Sequence, residues 1–184
     1  MILDSSEESL FILDEVFVAF ADESWSSVDL ICRDNVIIVR SMTKDYALAG
    51  LRLGYALAHR EIIDSLHRVC PPWHVNVMAQ KAGVAVLEDA GYLEQCKQQI
   101  RQAKQFLVDE LSRLGFAVVP SKINFFLVRV GNAKVFRAGL LKHGILVRDC
   151  SSFGLPEYVR IAPRTMPECQ KLIAAIKKLK REGE

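Results

Sequence analysis

The sequence has no pair of cysteines at C-x-x-C spacing. Its five cysteines, Cys32, Cys70, Cys96, Cys150 and Cys169, are scattered and odd in number. That pattern argues against a disulfide framework and a structural metal site, and suits reduced thiols in a cytoplasmic protein. No apolar run approaches the ~20 residues that a membrane-spanning helix needs. The start, Met1-Ile2-Leu3-Asp4-Ser5-Ser6-Glu7-Glu8, is acidic and lacks the basic residues and long apolar core of a secretory signal. Excess charge of either sign is also lacking, and a net charge of +2 gives no general attraction to nucleic acid or anionic membrane. The basic run at the end (Lys171, Lys177, Lys178, Lys180, Arg181) has no aromatic platform between its members and reads as a solvated helix face. His59 and His67 have no partner at metal-ligand spacing. What is present is 184 residues, 51% of them apolar, enough for one domain or a domain and a half with a sizeable core.

The chemistry concentrates in one stretch, Ser41-Met42-Thr43-Lys44-Asp45-Tyr46-Ala47-Leu48-Ala49-Gly50-Leu51-Arg52-Leu53-Gly54-Tyr55. It lies between two strand-like runs, Val36-Ile37-Ile38-Val39 and Tyr55-Ala56-Leu57-Ala58. A polar loop there holds a hydroxyl, a lysine eight residues before an arginine, and two glycines. Lysine is the usual residue for imine chemistry with a carbonyl, and arginine presents a rigid, permanently charged fork to phosphate. Spacing alone leaves a second reading open, an exposed lysine and a surface arginine on an ordinary loop.

Upstream, Leu10 to Val18 reads as a buried strand holding two carboxylates, Asp14 and Glu15. Ligands of open α/β sheets collect beyond the carboxyl ends of strands, so Asp14 is either a functional acid or else a helix N-cap or a solvated loop acid. Ala21–Asn35, containing Trp25, reads as a loop with a short helix. Helical spacing follows from Arg60 to Val69, broken by Cys70-Pro71-Pro72-Trp73-His74-Val75-Asn76. Helices are expected over Val75–Glu88 and Gly91–Leu114, the second stopped by Gly115. Short strands come next, at 116–119, 125–130, 145–148 and 158–161, with a helix at 133–143 among them and an amphipathic helix at 166–180. Two arginines sit inside these apolar runs, Arg148 and Arg160. They are either paired structurally, Arg148 with its neighbour Asp149, or aimed at an anionic ligand.

The wording of these segments resembles the fold-type I pyridoxal phosphate (PLP) enzymes, class I/II aminotransferases. Ser-x-x-Lys followed by Gly-Leu-Arg-Leu-Gly-Tyr is similar to the lysine loop of the histidinol-phosphate aminotransferase and threonine-phosphate decarboxylase branch. The resemblance implies that Lys44 carries PLP covalently, Ser41 and Arg52 hold its phosphate, and Asp14 faces its pyridine nitrogen. It implies Arg160 for the substrate carboxylate and Arg148 for the substrate phosphate, with Asn124 supporting the site. Phe17 departs from the pattern, because many aminotransferases have a tyrosine there that bonds the cofactor's ring oxygen. The Pro72-Trp73 turn resembles the decarboxylases.

The implied fold is α/β: the C-terminal part of a PLP-binding large domain over 1–90, a mostly parallel sheet with helices, then a long linking helix over 91–115 and a small α+β domain over 116–184. The resemblance covers only the C-terminal half of the family's enzymes, so the partner is expected to be a second copy, as a homodimer, or a missing N-terminal half. Three functions remain in view. The first is decarboxylation of L-threonine O-3-phosphate to aminopropanol phosphate, a step of cobalamin biosynthesis. The second is transamination of histidinol phosphate, and the third is a catalytically inactive truncated domain. The substrate implied by the first two is a small phosphorylated amino acid or amine.

Overall fold

The computed structural model describes residues 8–22, 26–89 and 91–182. The acidic start up to Glu7 and Trp25 fall outside the described residues. The chain divides into two compact units, Met1–Leu93 and Glu94–Glu184.

In the first unit a three-stranded sheet runs in the order β1 (Phe11–Asp14), β2 (Val36–Ser41), β3 (Gly54–Ala58). β1 and β2 are parallel, with Phe11 beside Val36 and Asp14 beside Val39. β3 returns antiparallel, with Ile37 beside Ala58 and Ser41 beside Gly54. The described part of this sheet is therefore mixed, where the sequence suggested a mostly parallel one. The connection from Ser41 to Gly54 holds only the four-residue helix α1 (Met42–Asp45) and a 3₁₀ turn at Ala49–Leu51. That is too little helix for a parallel crossover, so the chain turns back on itself.

β1 is shorter than the apolar run Leu10–Val18. Asp14 ends it by accepting a hydrogen bond from the Val16 amide (Oδ1–N 3.0 Å), an Asx turn that leads into the 3₁₀ turn Val18–Phe20. Nor is the strand covered on both faces. Phe11 and Leu13 pack on buried Val36 and Ile38, while Ile12 points the other way and is 65% exposed. Helices α2 (Arg60–Val69) and α3 (Val77–Glu88) follow, the second capped by Asn76, whose Oδ1 accepts from the Ala79 amide at 2.9 Å.

The second unit is an antiparallel sheet packed against helices. The long helix α4 (Tyr92–Arg113) stops at Gly115, whose φ of 85° is a left-handed conformation, and the Phe116 amide reaches back to the Leu111 carbonyl. Strands β4 (Ala117–Val119), β5 (Phe126–Arg129), β6 (Arg148–Asp149) and β7 (Tyr158–Ile161) lie in the order β4-β5-β7-β6. Alternation sorts them: Phe126, Val128, Val159 and Ile161 point to the core, and Arg129, Tyr158 and Arg160 do not. The core is closed by Leu107 and Leu111 of α4, Leu140 of α5 (Ala133–Lys142), and Ile173 and Ile176 of α6 (Met166–Glu182). Each such side chain contributes about 1.5–3 kcal/mol on full burial. At the start of α6 Glu168 reaches back to Thr165, its Oε2 accepting from the Thr165 amide (3.2 Å) and hydroxyl (2.6 Å). The strand expected at 145–148 is reduced to Arg148–Asp149. Ile145 is committed elsewhere, its amide closing α5 on the Leu140 carbonyl after Gly144 at φ 71°.

Candidate active site

In the first unit, parallel pairing brings the ends of β1 and β2 together. Asp14 lies beside Val39, two residues before Ser41. Ser41 caps α1: its Oγ accepts from the Thr43 amide at 3.3 Å and lies 2.7 Å from Thr43 Oγ1. Lys44 follows one residue later and is exposed. Its ammonium sits 4.9 Å from the centroid of the Phe17 ring, a cation–π contact that joins α1 to the turn after Asp14. The loop closes where the Met42 amide donates to the Leu53 carbonyl at 3.1 Å. Just before that contact Arg52 takes a left-handed conformation (φ 58°, ψ 44°), a strained choice for a long side chain. Its Nη1 donates to the Ala49 carbonyl at 3.1 Å.

Neither Lys44 nor Arg52 is in an ion pair among the described residues. An exposed amine, a guanidinium with donors to spare, and two adjacent hydroxyls thus share one strand end with a carboxylate. That donor set fits PLP: hydroxyls and guanidinium for the phosphate, amine for the aldehyde carbon, carboxylate for the ring nitrogen.

Three participants were not legible as such in the sequence. Thr43 adds a second hydroxyl, and its place two residues after Ser41 in the same motif was the available signal. Arg40, two residues before Met42, donates to Glu15 Oε2 from Nε (3.0 Å) and Nη2 (2.9 Å), tying the end of β1 to β2. The third, Asp45, is half-buried, and burial raises its pKa to about 6 against the pull of Lys44 and Arg40.

The second unit holds the two remaining candidates. Arg148 and Arg160 are direct cross-strand partners in the β6–β7 ladder, so both side chains leave the same face. Two cations at that spacing repel, and neither meets a carboxylate among the described residues. Asp149 is not the partner of Arg148. It accepts from the Ser151 amide (2.8 Å) and hydroxyl (2.6 Å), which holds its carboxyl below the usual range. The guanidinium of Arg148 lies over Phe153 at 5.2 Å and its Nη2 donates to Ser152 Oγ at 3.0 Å. Arg160 lies over Phe125 at 4.7 Å. Aromatic faces orient both groups and leave donors for an anion. Both line a cavity of about 760 Å³ in this unit, together with Arg137, Arg164, Lys171 and one carboxylate, Glu168. Asn124 has a buried Oδ1 with no hydrogen-bond partner. In the first unit, Trp73 of the Pro72-Trp73 turn is 94% exposed, at φ 56°.

The family model of the class I and II aminotransferases matches residues 2–176. The chain belongs to that family. Members of it use PLP, which agrees with the donor set described above. A relative from Symbiobacterium thermophilum, named histidinol-phosphate aminotransferase, is 37% identical over 179 residues, covering 95% of this chain and 49% of that one. The chain thus spans about half the length of that curated relative. The structure of histidinol-phosphate aminotransferase from Sinorhizobium meliloti in complex with pyridoxal-5'-phosphate superposes with a TM-score of 0.86 at 25% identity, over 97% of this chain and 50% of the other. The structure of L-threonine-O-3-phosphate decarboxylase from Porphyromonas gingivalis has a TM-score of 0.84 at 28% identity, over 98% of this chain and 57% of the other. No helix among the described residues is long and apolar enough to cross a membrane.

Proposed function

We propose that this chain supplies the lysine, phosphate-binding and anion-binding residues of a PLP-dependent aminotransferase acting on a small phosphorylated amine, histidinol phosphate being the favoured substrate. The observation that carries the proposal is the unpaired Lys44 on the same strand end as Ser41, Thr43, Arg52 and Asp14. Bound there, PLP would supply an aldehyde for the substrate amine and a ring that withdraws electrons from the bonds at its α-carbon.

The residues divide the remaining work. Lys44 would hold the cofactor covalently between turnovers, then take the proton from the amine-bearing carbon of the substrate and deliver it elsewhere, to the former aldehyde carbon, as transamination requires. Asp14 keeps a proton on the ring nitrogen through its negative charge. Ser41, Thr43 and Arg52 fix the phosphate. Arg148 and Arg160 take anions on the amino donor and acceptor. Histidinol phosphate carries a phosphate and no carboxylate, whereas 2-oxoglutarate carries two carboxylates, so a pair of arginines is needed that accepts both in turn. Phe17 brings no hydroxyl to the site, and its ring holds Lys44 instead.

The order of the two catalytic readings differs from that suggested by the Phe17 and Pro72-Trp73 wording, which placed decarboxylation first. The relative at 37% identity is named an aminotransferase. The decarboxylase stays as the second reading because a structure of that name superposes over 98% of the chain. Incubating the chain with PLP, histidinol phosphate and 2-oxoglutarate, and separately with phosphothreonine, distinguishes them. Glutamate formation supports the aminotransferase, and CO₂ release from phosphothreonine without glutamate rejects it. Absence of both products from a chain that binds PLP supports the third reading, an inactive part. Glutamate formation that returns on adding the N-terminal half of a relative assigns the activity to a two-part enzyme.

A further inference from the structure

Between β4 and β5 runs a loop whose last residue, Phe125, touches the arginine pair. Phe125 stands one residue before β5, outside the ladder of β5 with β7, so strand pairing does not fix it. It lies two residues from Leu127, the cross-strand partner of Arg160, and so shares a face with that arginine. Its ring is the surface on which the Arg160 guanidinium rests, 4.7 Å from the centroid. From the opposite side Arg148 faces Arg160 across the β6–β7 ladder with a like charge. Repulsion presses the Arg160 side chain toward the ring, so the place of the ring sets the place of the guanidinium. The loop itself is held from α4. Lys104 is half-buried and commits its ammonium to main chain, donating from Nζ to the Ser121 carbonyl at 2.5 Å and to the Ile123 carbonyl at 2.8 Å. These partners lie 17 and 19 residues away, so the bonds pin the loop to the helix instead of closing a local turn. Inside the loop, the Ile123 amide donates to Ser121 Oγ at 3.3 Å, a longer and uncharged bond. Charge-assisted bonds are about twice as strong as neutral ones, which makes Lys104 the firmer of the two holds.

We propose that Lys104 is a positioning residue for Arg160: by holding the Ser121 and Ile123 carbonyls it fixes Phe125, and Phe125 holds the guanidinium where it meets an anion. The inference rests on the reading of Arg160 as an anion-binding residue, but the placement it predicts exists in the chain without ligand or cofactor. Without the Lys104 donor the two carbonyls turn to water and the ring loosens. Arg160 then samples more rotamers, which must be ordered again each time an anion binds. Succinate, a simple dicarboxylate, should accordingly bind roughly two- to tenfold more weakly, the size of a lost cation–π contact.

The test is ¹H–¹⁵N NMR of the whole chain without PLP, reading the Arg160 Nε–Hε signal, assigned with Arg160→Lys, and the affinity for succinate in the same samples. A ring beneath the guanidinium displaces Hε upfield, so the unsubstituted chain should show Arg160 upfield of arginines that face no ring. Lys104→Met removes the donor at similar length. An Arg160 signal that returns to the ordinary position in Lys104→Met, with succinate weakened by that factor and both properties kept in Lys104→Arg, supports the proposal. A Lys104→Met chain that unfolds more easily but keeps the signal and the affinity has lost only stability, and overturns it. An Arg160 Hε at the ordinary position in the unsubstituted chain also overturns it, and that result needs no variant to fold. The anion reading is checked apart, with Arg160→Met. Undiminished succinate binding there rejects Arg160 as an anion site, while a Lys104-dependent signal keeps the placement. Lost succinate binding there with a Lys104-independent signal does the reverse.

Discussion

Gly54 meets Ser41 across the β2–β3 ladder, at the strand end that carries the lysine loop. A Cβ at position 54 would lie 2.9 Å from the Arg40 carbonyl oxygen. The obstacle is backbone and cannot rotate away as a side-chain tip can, so β3 must move off β2 or the carbonyl must tilt. Overpacking of this kind costs about 1–3 kcal/mol. An alanine also narrows the unfolded ensemble, which returns about 0.4–1 kcal/mol where the backbone accepts it. Gly54→Ala is therefore expected to destabilise the chain by about 1–2 kcal/mol. The displaced oxygen belongs to Arg40, which holds Glu15 and precedes Ser41, so the loss extends to the hydroxyls of Ser41 and Thr43, proposed above to hold a phosphate. Gly50→Ala is the internal control, since a Cβ there meets nothing within 4 Å. Urea unfolding followed by circular dichroism should lower the midpoint for Gly54→Ala at an unchanged slope and leave Gly50→Ala at or above the unsubstituted chain. Equal midpoints for the two variants would refute the argument that the ladder has no room at Ser41.

Asp45 gives a stability prediction whose sign follows from linkage. Its folded pKa of about 6 lies above the ordinary carboxylate value, so the folded chain binds this proton more tightly than the unfolded one. The group's favourable contribution is complete below about pH 4 and is lost as pH rises through 6. A two-unit shift corresponds to about 3 kcal/mol, which solvent screening of a half-exposed group reduces to about 1–2 kcal/mol. Asp45→Asn should accordingly raise the thermal midpoint at pH 8 and leave it unchanged at pH 4, and equal effects at both pH values would contradict the burial argument. For the arginine pair the expected signs oppose each other. Arg148→Met relieves the cross-strand repulsion with Arg160 and should stabilise by about 0.2–1 kcal/mol, while the protection against unfolding given by millimolar phosphate shrinks. Undiminished phosphate protection would remove Arg148 from the anion site.

The lysine loop stood out in the sequence because its residues are contiguous: the wording Ser-x-x-Lys followed by Gly-Leu-Arg-Leu-Gly-Tyr carries the resemblance, whereas spacing alone left an ordinary surface loop open. Strand and helix positions were legible for the same reason, since Phe126, Val128, Val159 and Ile161 alternate and Leu107 and Leu111 repeat at helical spacing. Features that depend on distant partners were not legible. β1 ends early because Asp14 bonds its own backbone, and β3 runs antiparallel because the loop before it holds too little helix. Arg40 reads as one more residue of a strand until Glu15 is placed beside it. The unpartnered oxygen of Asp45 is a property of burial, which sequence adjacency to Lys44 does not reveal. The Arg148–Asp149 pairing failed on a closer competitor, Ser151, which offers Asp149 both an amide and a hydroxyl.

The central claim is that Lys44 is poised for a carbonyl beside a phosphate-binding strand end. The most direct test is titration of the purified chain with PLP, followed by borohydride reduction and mass mapping of the modified lysine. The account predicts one pyridoxyl group, on Lys44, lost in Lys44→Ala and weakened in Arg52→Met. Labelling spread over surface lysines, or unaffected by Lys44→Ala, would contradict it.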